Sequence, residues 1–91
     1  MIKVAIADDN ENMVRMLTDL VSRDNELHVV GTARNGEEAC EVIREKEPDI
    51  VLLDIVMPKL DGLGVMDRMN KDKNMKKHPD FIIISAIGQE N

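Results

Sequence analysis

Aromatic side chains are nearly absent from this chain: Phe81 stands alone, with no tryptophan and no tyrosine. The core must therefore be aliphatic, with seven methionines to fill irregular gaps. Cysteine is as scarce. Cys40 is single, which excludes an internal disulfide and suits a reducing compartment. The two histidines, His28 and His78, lack metal-ligand spacing and are read as surface or packing residues. Long apolar runs are missing too. The longest are too short to span a bilayer, and Met1-Ile2-Lys3 leads straight into a strand rather than a signal peptide. No membrane partner is expected, and the cytoplasm is the expected location. Positive charge is in deficit: 12 Lys and Arg against 18 Asp and Glu leave a formal net charge of −6. That balance disfavours nucleic acid as a direct partner of this segment and suits a carboxylate-rich site that attracts cations.

What is present is a soluble globular pattern. With 91 residues, 43% apolar and 33% charged, the chain makes one small domain near the lower end of comfortable core size. Residues Ile2–Ala7 (IKVAIA) read as a strand ending on Asp8-Asp9, and Asn10 as the N-cap of a helix. Met13, Leu17, Leu20 and Val21 then repeat on one helical face that ends near Arg23. Leu27–Ala33 (LHVVGTA) is a second strand, less apolar and so expected nearer the sheet edge. Asn35-Gly36 is a turn signal, and Ala39, Cys40 and Ile43 mark the apolar side of a second helix closed by Pro48. Leu63, Met66 and Met69 predict a third helix. A lysine-rich connector precedes the last strand, Phe81–Ser85 (FIIIS). The order β-α-β-α-β-α-β, free of repeats and low-complexity linkers, predicts an α/β fold with helices on both faces of a parallel sheet.

One stretch organises the rest: Asp49–Gly62, DIVLLDIVMPKLDG. Ile50–Leu53 has the length and branching of a strand buried on both faces. It stops abruptly on Asp54, a carboxylate placed where the strand leaves the sheet. Met57-Pro58 interrupts regular hydrogen bonding, and Asp61-Gly62 is read as a turn in which glycine supplies a positive φ. Open α/β sheets place their ligands at this edge. The first strand also ends in acids. If the two strands are neighbours, as in the 2-1-3-4 order of a flavodoxin-like doubly wound sheet, then Asp8, Asp9 and Asp54 converge. Three such charges repel unless a cation lies among them. An all-oxygen set suits Mg²⁺, which prefers octahedral oxygen ligands at roughly 2.0–2.1 Å, and the lack of nearby cysteine or histidine disfavours zinc. The plainer alternative is that Asp8, Asp9 and Asn10 only cap a helix. Beside Mg²⁺, an ionised aspartate is a competent nucleophile toward phosphorus and forms an acyl phosphate. Ser85, at the end of the last strand, can offer its hydroxyl to a phosphoryl oxygen or simply face water.

The segments IADDN, LLDIVMPKLDG and FIIISAIG, in this order and spacing, resemble the receiver domains of bacterial two-component response regulators, and the resemblance spans the whole chain. It implies that Asp54 is the phosphorylated residue, taking its group from a phosphohistidine donor such as a histidine kinase or phosphotransferase. It implies that Asp9, more loosely Asp8, Asp54 and the backbone carbonyl of Val56 hold Mg²⁺. It makes Ser85 the switch hydroxyl that moves onto the phosphoryl group. Within the family, MPKLDGLGVM and FIIISAIGQEN look most like sporulation transcription factors, which implies control of an output domain.

The family pattern continues with a fourth helix, a fifth strand bearing an essential lysine, and a fifth helix. Lys71, Lys73, Lys76 and Lys77 precede the last strand and cannot take that lysine's place by position. Residues 1–91 are thus expected to form a C-terminally incomplete receiver domain whose last strand is an exposed edge prone to self-association. Two other functions compete. A Mg²⁺-dependent aspartyl phosphatase generally needs a second acid two residues after the nucleophile, where this chain has Val56. A phosphate-independent pseudo-receiver is disfavoured by the intact set of acids.

Overall fold

The computed structural model describes residues 1–84, so the expectation for Ser85 lies outside the described residues. Strands and helices alternate as β1 (Ile2–Ala7), α1 (Glu11–Ser22), β2 (Leu27–Ala33), α2 (Gly36–Lys46), β3 (Ile50–Asp54), α3 (Gly62–Asn70) and β4 (Asp80–Ile84). All strand pairs are parallel and the sheet order is β2-β1-β3-β4, the flavodoxin-like order expected. The less apolar β2 is indeed an outer strand. For function the decisive pairing is β1 with β3, where Ala7 stands opposite Leu53. Asp8 and Asp54, one position further along each strand, therefore leave the sheet side by side.

One face of the sheet carries the core. Ala5, Ala7, Ala33, Val51 and Leu53 meet Ala39, Cys40 and Ile43 of α2 and Val65 and Met69 of α3. Small alanines on β1 let α2 approach closely, and methionines take the place of aromatics: Met57 and Met69 are buried, with Met66, Met75 and Phe81 packed around them. Cys40 is an inert core residue whose thiol is pushed up in pKa, chiefly by burial. On the opposite face α1 lies over β1 and β2, shielding Val4 and Ile6. No α1 residue is fully buried, and Leu20, expected on its inner face, is 58% exposed.

The structure corrects several expectations. β3 is not buried evenly on both faces: Val51 and Leu53 are sealed under α2 and α3, whereas Ile50 and Leu52 are half-buried, because α1 packs across β1 and β2 rather than β3. The inner face of α3 is formed by Val65 and Met69, four residues apart and so stacked on one side of the helix. Leu63, placed there from sequence, is 59% exposed in the first turn. Neither Asn35-Gly36 nor Asp61-Gly62 is a free-standing turn. Asn35 and Asp61 are N-caps whose side chains accept the N–H groups of Glu38 and Gly64, and both glycines are helical. The left-handed residue in the β3–α3 loop is Lys59, with φ 70°, not Gly62. Both glycines serve close approach instead. A Cβ on Gly36 would lie 2.5 Å from the Leu60 carbonyl carbon, and one on Gly62 would lie 2.9 Å from the Ile55 Cα.

At the N-terminal end of the sheet Asp49 ties three strands together. Its Oδ2 accepts the Lys3 N–H at 2.8 Å, and its own N–H donates to the Lys3 carbonyl at 2.8 Å. Its carbonyl accepts the Asp80 N–H at 3.0 Å, and its Oδ1 pairs with Lys77. The Lys3 N–H, then Lys77, hold the Asp49 carboxyl below the usual aspartate value. A depressed native pKa contributes stability above the unfolded-state value, about 3.9 for aspartate, and that contribution is lost as pH falls through the native value. Thermal melts are thus expected to show wild type losing more stability than Asp49→Asn on acidification below about pH 4. Parallel acid limbs for the two proteins would contradict this role.

Candidate functional site

Three carboxylates meet at the C-terminal edge of the sheet. One oxygen from each of Asp8, Asp9 and Asp54 lies within 4.8 Å of the others. Asp8 and Asp54 are both only 6% exposed, whereas Asp9 faces solvent. The capping role separates from the acids: Asn10 Oδ1 accepts the Asn12 and Met13 N–H groups at 2.9 and 3.2 Å. Asp8 Oδ1 accepts the Asn10 N–H at 2.9 Å, which orients the acid without making it the cap. Asp54 Oδ1 accepts a long bond, 3.3 Å, from the Val56 N–H.

That arrangement is electrostatically costly. Burial first, and then the negative charge of Asp8, push the Asp54 carboxyl above the usual range. Asp9 adds to the rise, and the Val56 N–H opposes it. A cation among the three oxygens would remove the repulsion that raises the value. The donor set fits a hard divalent ion of the Mg²⁺ kind: all oxygen, with two buried acids and one open acid. His28 and His78 belong to the other end of the sheet, one at the start of β2 and the other before β4. Lys77, beside Asp49, is at that end as well.

The loop from Ile55 to Asp61 walls the site on the β3 side. Met57 plugs it into the core, Leu60 packs against the same cluster, and the Gly62 N–H donates to the Ile55 carbonyl at 2.7 Å. A further bond, Gly36 N–H to the Pro58 carbonyl at 3.4 Å, ties the loop to the start of α2. Val56 itself is 71% exposed. Sequence reasoning gave neither Gly36 nor Lys59 a part in the site. The NG dipeptide signalled a turn, and neither a close backbone approach nor a left-handed lysine leaves a mark in composition.

Residues 4–91 match the family model of the response regulator receiver domain. The chain belongs to this family. Solved receiver domains share its fold closely. The response regulator domain of Thermotoga maritima CheB is 34% identical with a TM-score of 0.83, covering 100% of this chain and 65% of its own. CheY in the CheX-CheY-BeF3-Mg²⁺ complex from Borrelia burgdorferi is 37% identical with a TM-score of 0.80, covering 98% of this chain and 65% of its own. The signal receiver domain of the response regulator NarL from Mycobacterium tuberculosis is 30% identical with a TM-score of 0.83, covering 93% and 66%. The chain thus spans slightly less than two thirds of the length of these relatives. A receiver domain is a signalling module rather than an enzyme, which removes the phosphatase alternative. Among the described residues, no helix is long and apolar enough to cross a membrane.

Proposed function

We propose that this receiver domain accepts a phosphoryl group on Asp54 and uses it to bias a conformational equilibrium that controls an output. The carrying observation is the convergence of Asp8, Asp9 and Asp54 within 4.8 Å at the edge of the sheet. An Asp54 oxygen attacks the phosphorus of a phosphohistidine donor, the P–O bond forms as the P–N bond breaks, and the imidazole leaves with the electron pair. Asp9, Asp8, the remaining Asp54 oxygen and the Val56 carbonyl are the residues that would hold Mg²⁺. When bound, Mg²⁺ supplies positive charge against the phosphoryl oxygens. Ser85 is proposed as the hydroxyl that follows the phosphoryl group on switching, a local contact that shifts a two-state population. The Borrelia CheY complex, with its BeF3 and Mg²⁺, supports this chemistry by analogy. The segments MPKLDGLGVM and FIIISAIGQEN further support an output like that of Stage zero sporulation protein A, a cytoplasmic transcription factor that starts spore formation.

Calorimetric titration with Mg²⁺ tests the metal half of the proposal. Asp9→Ala is expected to weaken binding about 10-fold or more, in keeping with the loss of one charge-assisted ligand. Equal affinity in wild type and variant would remove Asp9 from the metal site.

A further inference from the structure

We propose that Gly36, at the start of α2, is a positioning residue for the acidic site, acting through the loop that carries Val56. This inference rests on the proposed Mg²⁺ ligation by Val56 and the three acids. Gly36 is remote in sequence from all four, and its own backbone is helical. Its importance lies in what it touches. The α2 backbone here lies directly on Leu60, so that an added Cβ would overlap the Leu60 carbonyl oxygen and stand 2.5 Å from its carbonyl carbon. These are main-chain atoms, which cannot swing aside as a side-chain end can. The Gly36 N–H also donates to the Pro58 carbonyl at 3.4 Å. One residue therefore contacts the loop at two successive bends, Pro58 and Leu60, on either side of the left-handed Lys59.

The loop has little freedom elsewhere. Its first residues follow β3 directly, Met57 is buried in the core, and the Gly62 N–H closes the far end onto the Ile55 carbonyl at 2.7 Å. Pressure at Leu60 is thus passed along a short, pinned segment to Val56, whose N–H bonds Asp54 Oδ1 at 3.3 Å. At 3.3 Å that bond is already beyond the ordinary range, so a small further displacement of Val56 breaks it. The α2 N-terminus works as a stop that sets how far the Val56 carbonyl stands from the carboxylates. Outer contacts that orient metal ligands typically matter by roughly 10–100-fold in metal affinity.

The test compares Gly36→Ala with Ile43→Val, a buried change about two turns further along the same helix that loosens the core without adding bulk at the Leu60 main chain. Both are first shown to be folded by circular dichroism and thermal melting. Gly36→Ala is expected to bind Mg²⁺ about 10-fold more weakly than wild type, and Ile43→Val within about twofold. Backbone amide shifts in metal-free Gly36→Ala are expected to move at Ile55, Val56 and Leu60. Unchanged affinity in folded Gly36→Ala, or an equal loss in Ile43→Val, overturns the assignment, as do unmoved shifts at Ile55 and Val56. If Gly36→Ala fails to fold, Leu60→Ala approaches the same contact from the loop. It is expected to weaken Mg²⁺ binding several-fold and to move the Val56 amide, and wild-type behaviour on both counts overturns the proposal. Wild type that binds no Mg²⁺ would sink the metal reading by itself, while the metal-free shifts still decide whether Gly36 sets the loop.

Discussion

Asp54→Asn is expected to abolish phosphoryl transfer to this domain while leaving it folded and, without divalent cations, more stable than wild type. Loss of labelling follows from chemistry: an amide oxygen is a far weaker nucleophile than a carboxylate, and no acyl phosphate forms on asparagine. The gain in stability follows from electrostatics. Burial and the neighbouring charge of Asp8 raise the native pKa of Asp54. At neutral pH its charged form is therefore held against repulsion and desolvation, which a neutral side chain of the same volume escapes. Removing a nucleophile ordinarily has no reason to stabilise a fold, so the two effects together are diagnostic. Labelling with acetyl phosphate or a phosphorylated histidine donor, plus melting in the presence of a chelator, reads both. Undiminished labelling of Asp54→Asn would assign the chemistry to another residue. A melting temperature below that of wild type would mean that Asp54 is held by contacts that outweigh its repulsion.

The acids were legible because their signal is local. An apolar strand that stops on a carboxylate says where that carboxylate emerges, and Asp8 and Asp54 emerge where the sequence placed them, at adjacent strand ends. One outer strand was legible for a related reason, since β2 is the least apolar strand, whereas the pairing of β1 with β3 rested on the analogy with flavodoxin-like sheets. Side-chain facing was harder. Leu63 is as apolar as Val65, but the buried side of α3 runs through Gly62, Val65 and Met69, and only the tertiary path of the β3–α3 loop decides which side turns inward and leaves Leu63 in water. The two glycines were read for the wrong property. Gly62 was expected to supply a positive φ and Gly36 a turn, yet Lys59 takes the left-handed conformation and both glycines provide clearance. Clearance depends on which backbone passes overhead, and a sequence does not state that. The Asp49 clamp was missed likewise, since it joins residues 46 and 28 positions apart.

Those clearances differ in kind, and the difference yields a sharp contrast between two neighbouring glycines. Both Gly62 and Gly64 lie in α3, where alanine would be the better helix former by up to about 1 kcal/mol. On propensity alone both substitutions should stabilise. Around Gly62, however, a new Cβ would press on the Asp54 carbonyl oxygen and lie 2.9 Å from the Ile55 Cα and 3.1 Å from the Asp54 carbonyl carbon. All three are backbone atoms at the end of β3. That end cannot retreat, because Leu53 is paired with Ala7 on one side and Asp54 with Ile84 on the other. Around Gly64 the nearest atom is Leu60 Cδ1 at 2.6 Å, the tip of a half-buried side chain that can rotate away. Gly62→Ala is therefore expected to cost roughly 3 kcal/mol, the upper end of the usual overpacking range, because the clash is with fixed backbone. That is a large share of the roughly 5–15 kcal/mol that holds a domain together. Gly64→Ala is expected to fall within about 1 kcal/mol of wild type, since rotamer strain in Leu60 and gained helix propensity are of similar size. Urea denaturation of both variants measures the difference directly. Two equal values would show that the end of β3 yields as easily as a leucine side chain, and that its rigidity does not hold Asp54 in place.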